Sequence, residues 1–378
     1  MTGEAGPLAP REKALGMMKK EPGTMLTLQD VDRLIARFPR VELVHLPTPL
    51  RKLDAVSVDL GGPEIYIKRD DLTGMAFGGN KSRKLEFIVP DMLAKRADVV
   101  VTWAGMQSNW AMQTAAAAVR FGIRPILVLF KTYDLPPERD GNLLLDDILG
   151  ADVRIRDASV GKLVGLEAAL AAVEEVAAEE RAQGRRPYVV SVGGSMPLGS
   201  MDRPLGAISY VQAFREMLEQ TRALGFEPDI VVHATGSGAT QAGLILGAKA
   251  LAPRTRVVGI SVSDPREPFA REVLAIAEAA ESCLGLGTEV RVVDVVIHDE
   301  YIRDGYGIVT KEVADVIRML FTREGIVLDP VYTSKAFIGL VDLVRTGAIP
   351  RSAKVVFFHT GGTPALFPNK RKLVEFLK

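Results

Sequence analysis

Short runs of apolar, often β-branched residues alternate with longer amphipathic stretches from residue 64 onward. The runs that predict strands cover residues 64–68, 98–102, 125–130, 151–155, 187–191, 229–233, 256–260 and 354–358. The helical stretches between them include residues 108–121, 162–183, 208–224, 240–251, 310–323 and 333–345. Near-continuous apolar strands separated by helices are typical of parallel strands that are buried on both faces. The pattern therefore predicts an α/β protein with doubly wound, open twisted and mainly parallel sheets.

The same pattern predicts a smaller domain inserted into a larger one. Residues 95–192 hold four of the predicted strands with their helices, enough for a small α/β domain. A glycine-rich, irregular segment at 193–199 marks a place at which the chain can cross back. We therefore predict a large domain from residues 1–94 and 193–378, whose first 40 residues form a flexible or loosely docked N-terminal arm. Pro90 lies within the helical pattern 82–96 and is predicted to kink or split that helix.

Composition and charge narrow the class of protein. The 378 residues include 47 Lys plus Arg and 47 Asp plus Glu, so the formal net charge is zero. Such a balance predicts neither nucleic acid nor an anionic membrane as a partner. Cys283 is the only cysteine, which excludes an intrachain disulfide framework. With no signal peptide and no apolar run of roughly 18 residues, the expectation is a soluble, cytoplasmic protein without a membrane span.

A pair of glycines followed by two lysines comes shortly after the first predicted strand. Gly78 and Gly79 permit positive φ angles and a close approach of the backbone to a ligand. Lys81 and Lys84 are three residues apart and share one face if a helix has begun. A lysine in a cleft at this boundary loses solvation, and it can then act as nucleophile, Schiff-base partner or general base. The alternative is an ordinary helix start with solvated lysines.

A second segment, residues 234–243, places a glycine-rich turn between a predicted strand and a helix. Free backbone N–H groups and the positive end of the helix dipole make such a turn an anion site. The segment lacks the Gly-Lys-Ser/Thr ending of a nucleoside triphosphate loop and the spacing of the dinucleotide fingerprint. It therefore fits a single phosphate monoester, with Ser237 and Thr240 as additional donors. The alternative is a tight turn with ordinary helix capping.

A third segment, Gln107-Ser108-Asn109-Trp110, lies where another strand leads into a helix. Ligands of open α/β sheets sit at this edge, so Ser108 and the first-turn amides are candidates for binding a substrate carboxylate. The alternative is that Ser108 or Asn109 only caps the helix.

Three further residues lie in motifs near the C terminus. Tyr306 precedes a glycine, Tyr332 ends Asp-Pro-Val-Tyr, and Thr360 ends a buried strand before a Gly-Gly turn. The Thr360 hydroxyl is placed to meet a ring nitrogen. Each tyrosine, taken singly, is more often a core residue with a satisfied hydroxyl.

The order of these motifs resembles the pyridoxal-phosphate enzymes of the tryptophan synthase β fold. Within that fold the chain is similar to the 1-aminocyclopropane-1-carboxylate deaminase and D-cysteine desulfhydrase family, from about Leu46 to the C terminus. The resemblance implies fold type II, pyridoxal 5′-phosphate as cofactor, a small amino acid as substrate, and a homodimer.

The resemblance also assigns roles to the candidate residues. For the cofactor it implies Lys81 as the Schiff-base lysine, Asn109 at the 3′-oxygen, Thr360 at the pyridine nitrogen, and a phosphate site formed by Lys84 and the backbone of Ser237, Gly238, Ala239 and Thr240. For the substrate it implies Gln107 and Ser108 around the carboxylate, with Ser108 relaying a proton, and Tyr306 and Tyr332 facing the substrate. Asn109 and Trp110 are further candidates for contact with the substrate. A hydroxyl at the ring nitrogen makes a weaker electron sink than a carboxylate, which suits β-elimination.

One position helps to choose among activities. Cyclopropane-opening members resemble Asp-Pro-Val-Tyr-Glu, whereas this chain has Thr333, as desulfhydrase-type members do. The expected activity is therefore β-elimination and deamination of a small β-substituted amino acid, as in D-cysteine desulfhydrases. The alternatives are a 1-aminocyclopropane-1-carboxylate deaminase, an L-cysteate sulfo-lyase, or a non-catalytic binder of a phosphorylated metabolite. Trp110 and an insertion at 196–203 depart from the family pattern, and Trp110 is expected to reshape the carboxylate site.

Overall fold

The computed structural model describes residues 25–132 and 139–378. The strands are β1 (Leu50–Lys52), β2 (Glu64–Lys68), β3 (Val99–Gly105), β4 (Arg124–Phe130), β5 (Asp152–Arg156), β6 (Pro187–Val189), β7 (Ile230–Thr235), β8 (Arg256–Ser261), β9 (Val296–His298) and β10 (Lys354–Phe358). The α-helices are α1 (Leu28–Ile35), α2 (Asp54–Asp59), α3 (Asn80–Ala94), α4 (Asn109–Arg120), α5 (Asn142–Ile148), α6 (Leu166–Ala182), α7 (Leu205–Ala223), α8 (Ala239–Leu251), α9 (Arg266–Leu284), α10 (Lys311–Glu324), α11 (Thr333–Arg345) and α12 (Lys370–Leu377).

These strands form two sheets. A six-stranded sheet has the order β1-β2-β10-β7-β8-β9, and a four-stranded sheet has the order β5-β4-β3-β6. Strand β1 runs antiparallel to β2, and all the other pairs are parallel. Helices cover the sheets, and central strands such as β3 and β7 are buried along their whole length. The predicted α/β class with mainly parallel sheets is thus confirmed.

The four-stranded sheet is built from one continuous stretch of chain. Its strands lie between residues 99 and 189, whereas the six-stranded sheet uses strands from before and after that stretch. Strand β10, close to the C terminus, pairs with β2 and β7 in the middle of the larger sheet. The boundaries at 95 and 192 stay a prediction.

The described part of the N-terminal arm packs into the core. Thr27 caps α1 through a reciprocal capping box with Asp30. Val31 and Ile35 of α1 are buried, and the helix packs against α7. This differs from the loose docking that we expected, because one face of this short helix is apolar enough to join the core. The first 24 residues lie outside the described residues.

Helix α3, which carries the two candidate lysines, runs through Pro90 without being split. A proline has no N–H group, so the carbonyl oxygen of Glu86 one turn earlier loses its helical partner. That oxygen accepts a hydrogen bond from the Val41 N–H at 3.0 Å instead. The Glu86 carboxylate also accepts from the N–H groups of Leu43 and Val44. The neighbouring segment therefore satisfies the backbone group that Pro90 frees.

None of the helices in the described ranges is long and apolar enough to cross a membrane.

Candidate active site

A cavity of about 650 Å³ lies at the carboxyl ends of the parallel strands. This is the edge at which open α/β sheets bind ligands. The cavity is bordered by turns and helices next to both sheets. Ten of the residues that the motifs singled out line it: Lys81, Ser108, Asn109, Trp110, Ser237, Gly238, Thr240, Tyr306, Tyr332 and Thr360. Lys84, Gln107 and Ala239 do not line it.

Lys81 is the second residue of α3, directly behind the turn made by Gly78 and Gly79. Both glycines have positive φ, of 70° and 125°, as the motif predicts. Burial lowers the pKa of the Lys81 amine to about 8, because the charged form loses solvation. About a tenth of this amine is therefore neutral at pH 7, far more than for an ordinary lysine, and the neutral amine is the form that acts as a nucleophile or base.

Lys84 lies one turn further along the same helix and is fully buried. Its Nζ has no hydrogen-bond partner among the described residues and lies 5.6 Å from the centre of the Tyr210 ring. Burial, and then the charge of Lys81, lower its pKa well below the ordinary value. A buried cation without a partner is costly, so the arrangement is suited to an anion that would supply the missing partner.

The glycine-rich turn after β7 provides the place for that anion. Gly238 precedes α8, and no side chain caps this helix, so its N-terminus is open to a ligand, apart from the Ala239 N–H, which donates to the Ser237 carbonyl at 3.0 Å. A Cβ on Gly193 would lie 2.2 Å from Ser237 Oγ and 3.4 Å from Lys84 Nζ. The turn, Lys84 and the crossing segment at Gly193 therefore enclose one small space, which any larger residue at Gly193 would fill. Its donors, a helix N-terminus and an ammonium group, fit a phosphate monoester.

The N-terminus of α4 is arranged differently. Ser108 lines the cavity and also caps the helix, since its Oγ accepts from the N–H groups of Trp110 at 3.1 Å and Ala111 at 3.3 Å. The capping alternative for Ser108 is therefore correct, and it coexists with a place in the cavity wall. These two amides are already bound and are not free for a ligand.

Gln107 lies behind the cavity wall. Its Nε2 donates to the Asp140 carbonyl and its Oε1 accepts from the Asn142 N–H, both at 2.8 Å. Both ends of this amide thus hold the start of α5. The Asn142 side chain also donates to Asn109 Oδ1 at 2.9 Å, which fixes the orientation of the Asn109 amide in the wall.

Trp110 forms part of the wall, and its polar end points away from the cavity. Its side chain is 1 % exposed, and its Nε1 donates to Thr102 Oγ1 on β3 at 2.8 Å. Thr102 Oγ1 in turn donates to the Val190 carbonyl. Because this indole is anchored at its far end, it presents a rigid apolar surface beside Ser108 and Asn109.

Tyr306 and Tyr332 form a pair on another side of the cavity. Their hydroxyl groups share a hydrogen bond, and the rings meet edge to face with their centres 6.0 Å apart. Burial raises the pKa of Tyr306 to about 12, so its hydroxyl keeps its proton. Thr360 follows β10, and its carbonyl accepts from the Asn80 N–H at 3.1 Å. This bond joins the end of β10 to the start of the helix that carries Lys81.

The motifs missed several polar residues that line the cavity: Thr132, Ser195, Asp264 and Glu272. Thr132 and Asp264 follow the carboxyl ends of β4 and β8 within a few residues, so the rule that pointed to the other segments applies to them too. Burial raises the pKa of the Asp264 carboxyl.

Comparison with known proteins agrees with this geometry. The family model described as pyridoxal-phosphate dependent enzyme matches residues 41–361. The chain is 38 % identical to a 1-aminocyclopropane-1-carboxylate deaminase of Methylobacterium nodulans, covering 88 % of this chain and 97 % of that protein. It is also 38 % identical to a D-cysteine desulfhydrase of Klebsiella pneumoniae, with the same coverage.

A solved structure of an ACC deaminase homologue superposes with a TM-score of 0.82 at 41 % identity, covering 92 % of this chain and 99 % of that one. The matches to the family model and to both relatives extend over most of the chain. The protein therefore belongs to the pyridoxal-phosphate-dependent enzymes, in the family of the 1-aminocyclopropane-1-carboxylate deaminases and D-cysteine desulfhydrases, and pyridoxal 5′-phosphate is its cofactor.

Proposed function

We propose that this enzyme catalyses β-elimination and deamination of a small β-substituted amino acid, as D-cysteine desulfhydrases do. The products would be a 2-oxo acid such as pyruvate, ammonia and the leaving group. The observation that carries the proposal is that the Lys81 amine borders the same cavity as the open N-terminus of α8, with the unpartnered Lys84 beside that N-terminus.

Each part of this arrangement suits one part of the cofactor. Lys81 would bind its aldehyde carbon, and Lys84 with the backbone of residues 237–240 would hold its phosphate. The Asn109 side chain would contact the 3′-oxygen, and the Thr360 hydroxyl the ring nitrogen. When bound, the cofactor withdraws electrons from the substrate α-carbon, which makes the α-proton acidic.

The chain's own residues would then move the protons. Once the amino group of the substrate has released Lys81 from the aldehyde carbon, the Lys81 Nζ would take the proton from the α-carbon, and its lowered pKa favours the neutral amine that does so. The bond between the β-carbon and its substituent breaks, and the substituent leaves with its electron pair. Tyr306 and Tyr332 line the cavity, and their hydroxyls would donate the proton that the leaving group needs. The remaining enamine takes back a proton at its β-carbon, and water then hydrolyses it to a 2-oxo acid and ammonia.

The choice of elimination over cyclopropane opening rests on Thr333. By resemblance, cyclopropane-opening members have a glutamate at this position. Here the Thr333 side chain is buried, and its Oγ1 donates to Asp329 Oδ1 at 2.7 Å. The position therefore supplies neither an acid nor a charge to the cavity. Relatives of both activities are 38 % identical, so a 1-aminocyclopropane-1-carboxylate deaminase is the second candidate, followed by an L-cysteate sulfo-lyase.

A substrate panel tests the proposal. Purified holoenzyme would be given D-cysteine, L-cysteate and 1-aminocyclopropane-1-carboxylate, and 2-oxo acid release would be followed. We expect pyruvate from D-cysteine or another β-substituted amino acid, and no product from the cyclopropane. Turnover of the cyclopropane alone would contradict the weight given to Thr333.

Borohydride reduction tests the chemistry independently of the substrate. We expect a pyridoxyl group on the peptide that contains Lys81, and its absence in Lys81→Ala. A binder of phosphorylated metabolites, the candidate from another class, would bind the phosphate compound and form no such adduct.

We also propose, from the family resemblance, that the enzyme is a cytoplasmic homodimer with domain boundaries near residues 95 and 192. Sedimentation equilibrium would show twice the chain mass. Cell fractionation and limited proteolysis would test the location and the boundaries.

A further inference from the structure

Several of the groups expected to bind the substrate carboxylate are already hydrogen-bonded within the protein. The amides of Trp110 and Ala111 are bound to Ser108 Oγ, and the Gln107 amide is bound at both ends behind the wall. Ser108 Oγ only accepts in these bonds, so its hydroxyl proton is still available to the carboxylate. A buried carboxylate needs more than one donor, because each unsatisfied oxygen carries a desolvation cost.

Thr132 presents an unused hydroxyl to the same space. It lines the cavity just beyond β4, its side chain is 1 % exposed, and its Oγ1 has no hydrogen-bond partner within the described ranges. A Cβ on Gly105 would lie 2.7 Å from Thr132 Oγ1 and 3.7 Å from the Tyr306 hydroxyl. The Gly105 carbonyl accepts from the Ser108 N–H. The hydroxyls of Thr132 and Tyr306 therefore lie beside the turn that carries Ser108.

The backbone holds Thr132 in this position. Its N–H donates to the Phe130 carbonyl at 2.9 Å, and its carbonyl accepts from the Gly161 N–H at 2.6 Å. The Gly161 carbonyl then accepts from the Tyr306 N–H at 2.9 Å. Since both backbone groups of Thr132 are satisfied, its side-chain hydroxyl is the group left for a ligand, and it is joined through Gly161 to a residue that faces the substrate.

We propose that the Thr132 hydroxyl binds the carboxylate of the amino-acid substrate together with Ser108. The inference rests on the proposed function, and it assigns a substrate-binding residue that no motif indicated. The buried hydroxyl donates its proton to a carboxylate oxygen, which satisfies both groups at once.

The test uses two variants of Thr132 and one matched control. Thr132→Val keeps the shape and removes the hydroxyl, whereas Thr132→Ser keeps it. Thr114→Val is the control, because Thr114 is also fully buried with an unpartnered Oγ1, but does not line the cavity. Borohydride adduct formation on Lys81 checks that each variant is folded and loaded.

Binding is measured by calorimetry on the holoenzyme with D-alanine, L-alanine and D-alaninol. The alanines have no leaving group, and alaninol also lacks the carboxylate. A hydrogen bond to a charged group predicts about 10- to 100-fold weaker binding of the preferred alanine to Thr132→Val. Alaninol binding should be unchanged, and Thr132→Ser and Thr114→Val should bind like the wild type. In turnover of an active substrate, KM should rise more than kcat falls.

Several outcomes would overturn the assignment. Unchanged alanine affinity in Thr132→Val would do so, as would an equal loss for alaninol or a comparable loss in Thr114→Val. Absence of measurable wild-type binding to either alanine would also overturn it. The proposed function fails separately, if the wild type forms no Lys81 adduct or releases no 2-oxo acid.

Discussion

Replacing Lys84 by methionine should affect folding and cofactor binding in opposite directions. Methionine has a similar length and no charge, so the substitution removes the unpartnered buried amino group while keeping the packing. In the apoprotein that amino group has lost its solvation without gaining a hydrogen bond. We therefore expect Lys84→Met to stabilise the apoprotein and to weaken the binding of pyridoxal phosphate.

The two effects have comparable sizes. An unsatisfied buried polar group costs about 1–3 kcal/mol, so the free energy of unfolding of the apoprotein should rise by an amount in that range. A hydrogen bond between charged groups contributes about 1.5–3 kcal/mol, which corresponds to roughly 10- to 150-fold weaker cofactor binding.

Urea unfolding of the apoproteins and titration with pyridoxal phosphate measure both quantities. Lys335→Met is the matched control, because Lys335 is also fully buried but its Nζ donates to the carbonyls of Ile302 at 2.8 Å and Gly305 at 2.7 Å. That variant should be less stable than the wild type, since two buried carbonyls lose their donor. A less stable apo Lys84→Met, or one with wild-type cofactor affinity, would refute the reasoning.

Two further predictions concern the same site. Gly193→Ala should weaken cofactor binding at least about tenfold, because the added Cβ would lie 2.2 Å from Ser237 Oγ. Gly225→Ala is the control, since Gly225 has a φ of 83° but open space around it. That variant should lose only about 1–2 kcal/mol of stability and keep the wild-type Kd for the cofactor. The free energy of unfolding of the apoprotein should rise between about pH 8 and 10.5, since Lys81 and Lys335 have pKa values of about 8 when folded and 10.5 when unfolded, and the unfolded chain binds more protons in that window. The urea midpoint of the wild type should rise across this pH range, and that of Lys81→Met should rise less steeply. A wild-type midpoint that does not change with pH would contradict the lowered pKa values of Lys81 and Lys335.

Local sequence patterns predicted the secondary structure of the central elements well. The runs at 64–68 and 354–358 coincide with β2 and β10, and the stretch 333–345 coincides with α11. Parallel strands buried on both faces must be apolar throughout, and the apolar residues of an amphipathic helix must recur every three or four positions. Both patterns can be recognised in the sequence. The three-residue strands β1 and β9 were missed, because at most one residue of each is buried and such strands need no continuous apolar run.

Local patterns could not distinguish a cavity residue from one just behind it. Gln107 and Ser108 are adjacent, yet the structure places the first against the start of α5 and the second in the cavity wall. Thr132 had no motif at all, because an isolated threonine after a strand has many structural uses.

The sequence by itself determined the α/β class, the strand-to-helix turns that hold the candidate lysine and the anion site, and the family to which their order belongs. Only the tertiary structure decided which of these turns meet. Strand β10 lies between β2 and β7, and this pairing across nearly the whole chain brings Thr360, Lys81 and the turn at Ser237 to one cavity. Turn and helix signals arise from neighbouring residues, whereas strand pairing depends on the packing of the complete core, which no short segment encodes.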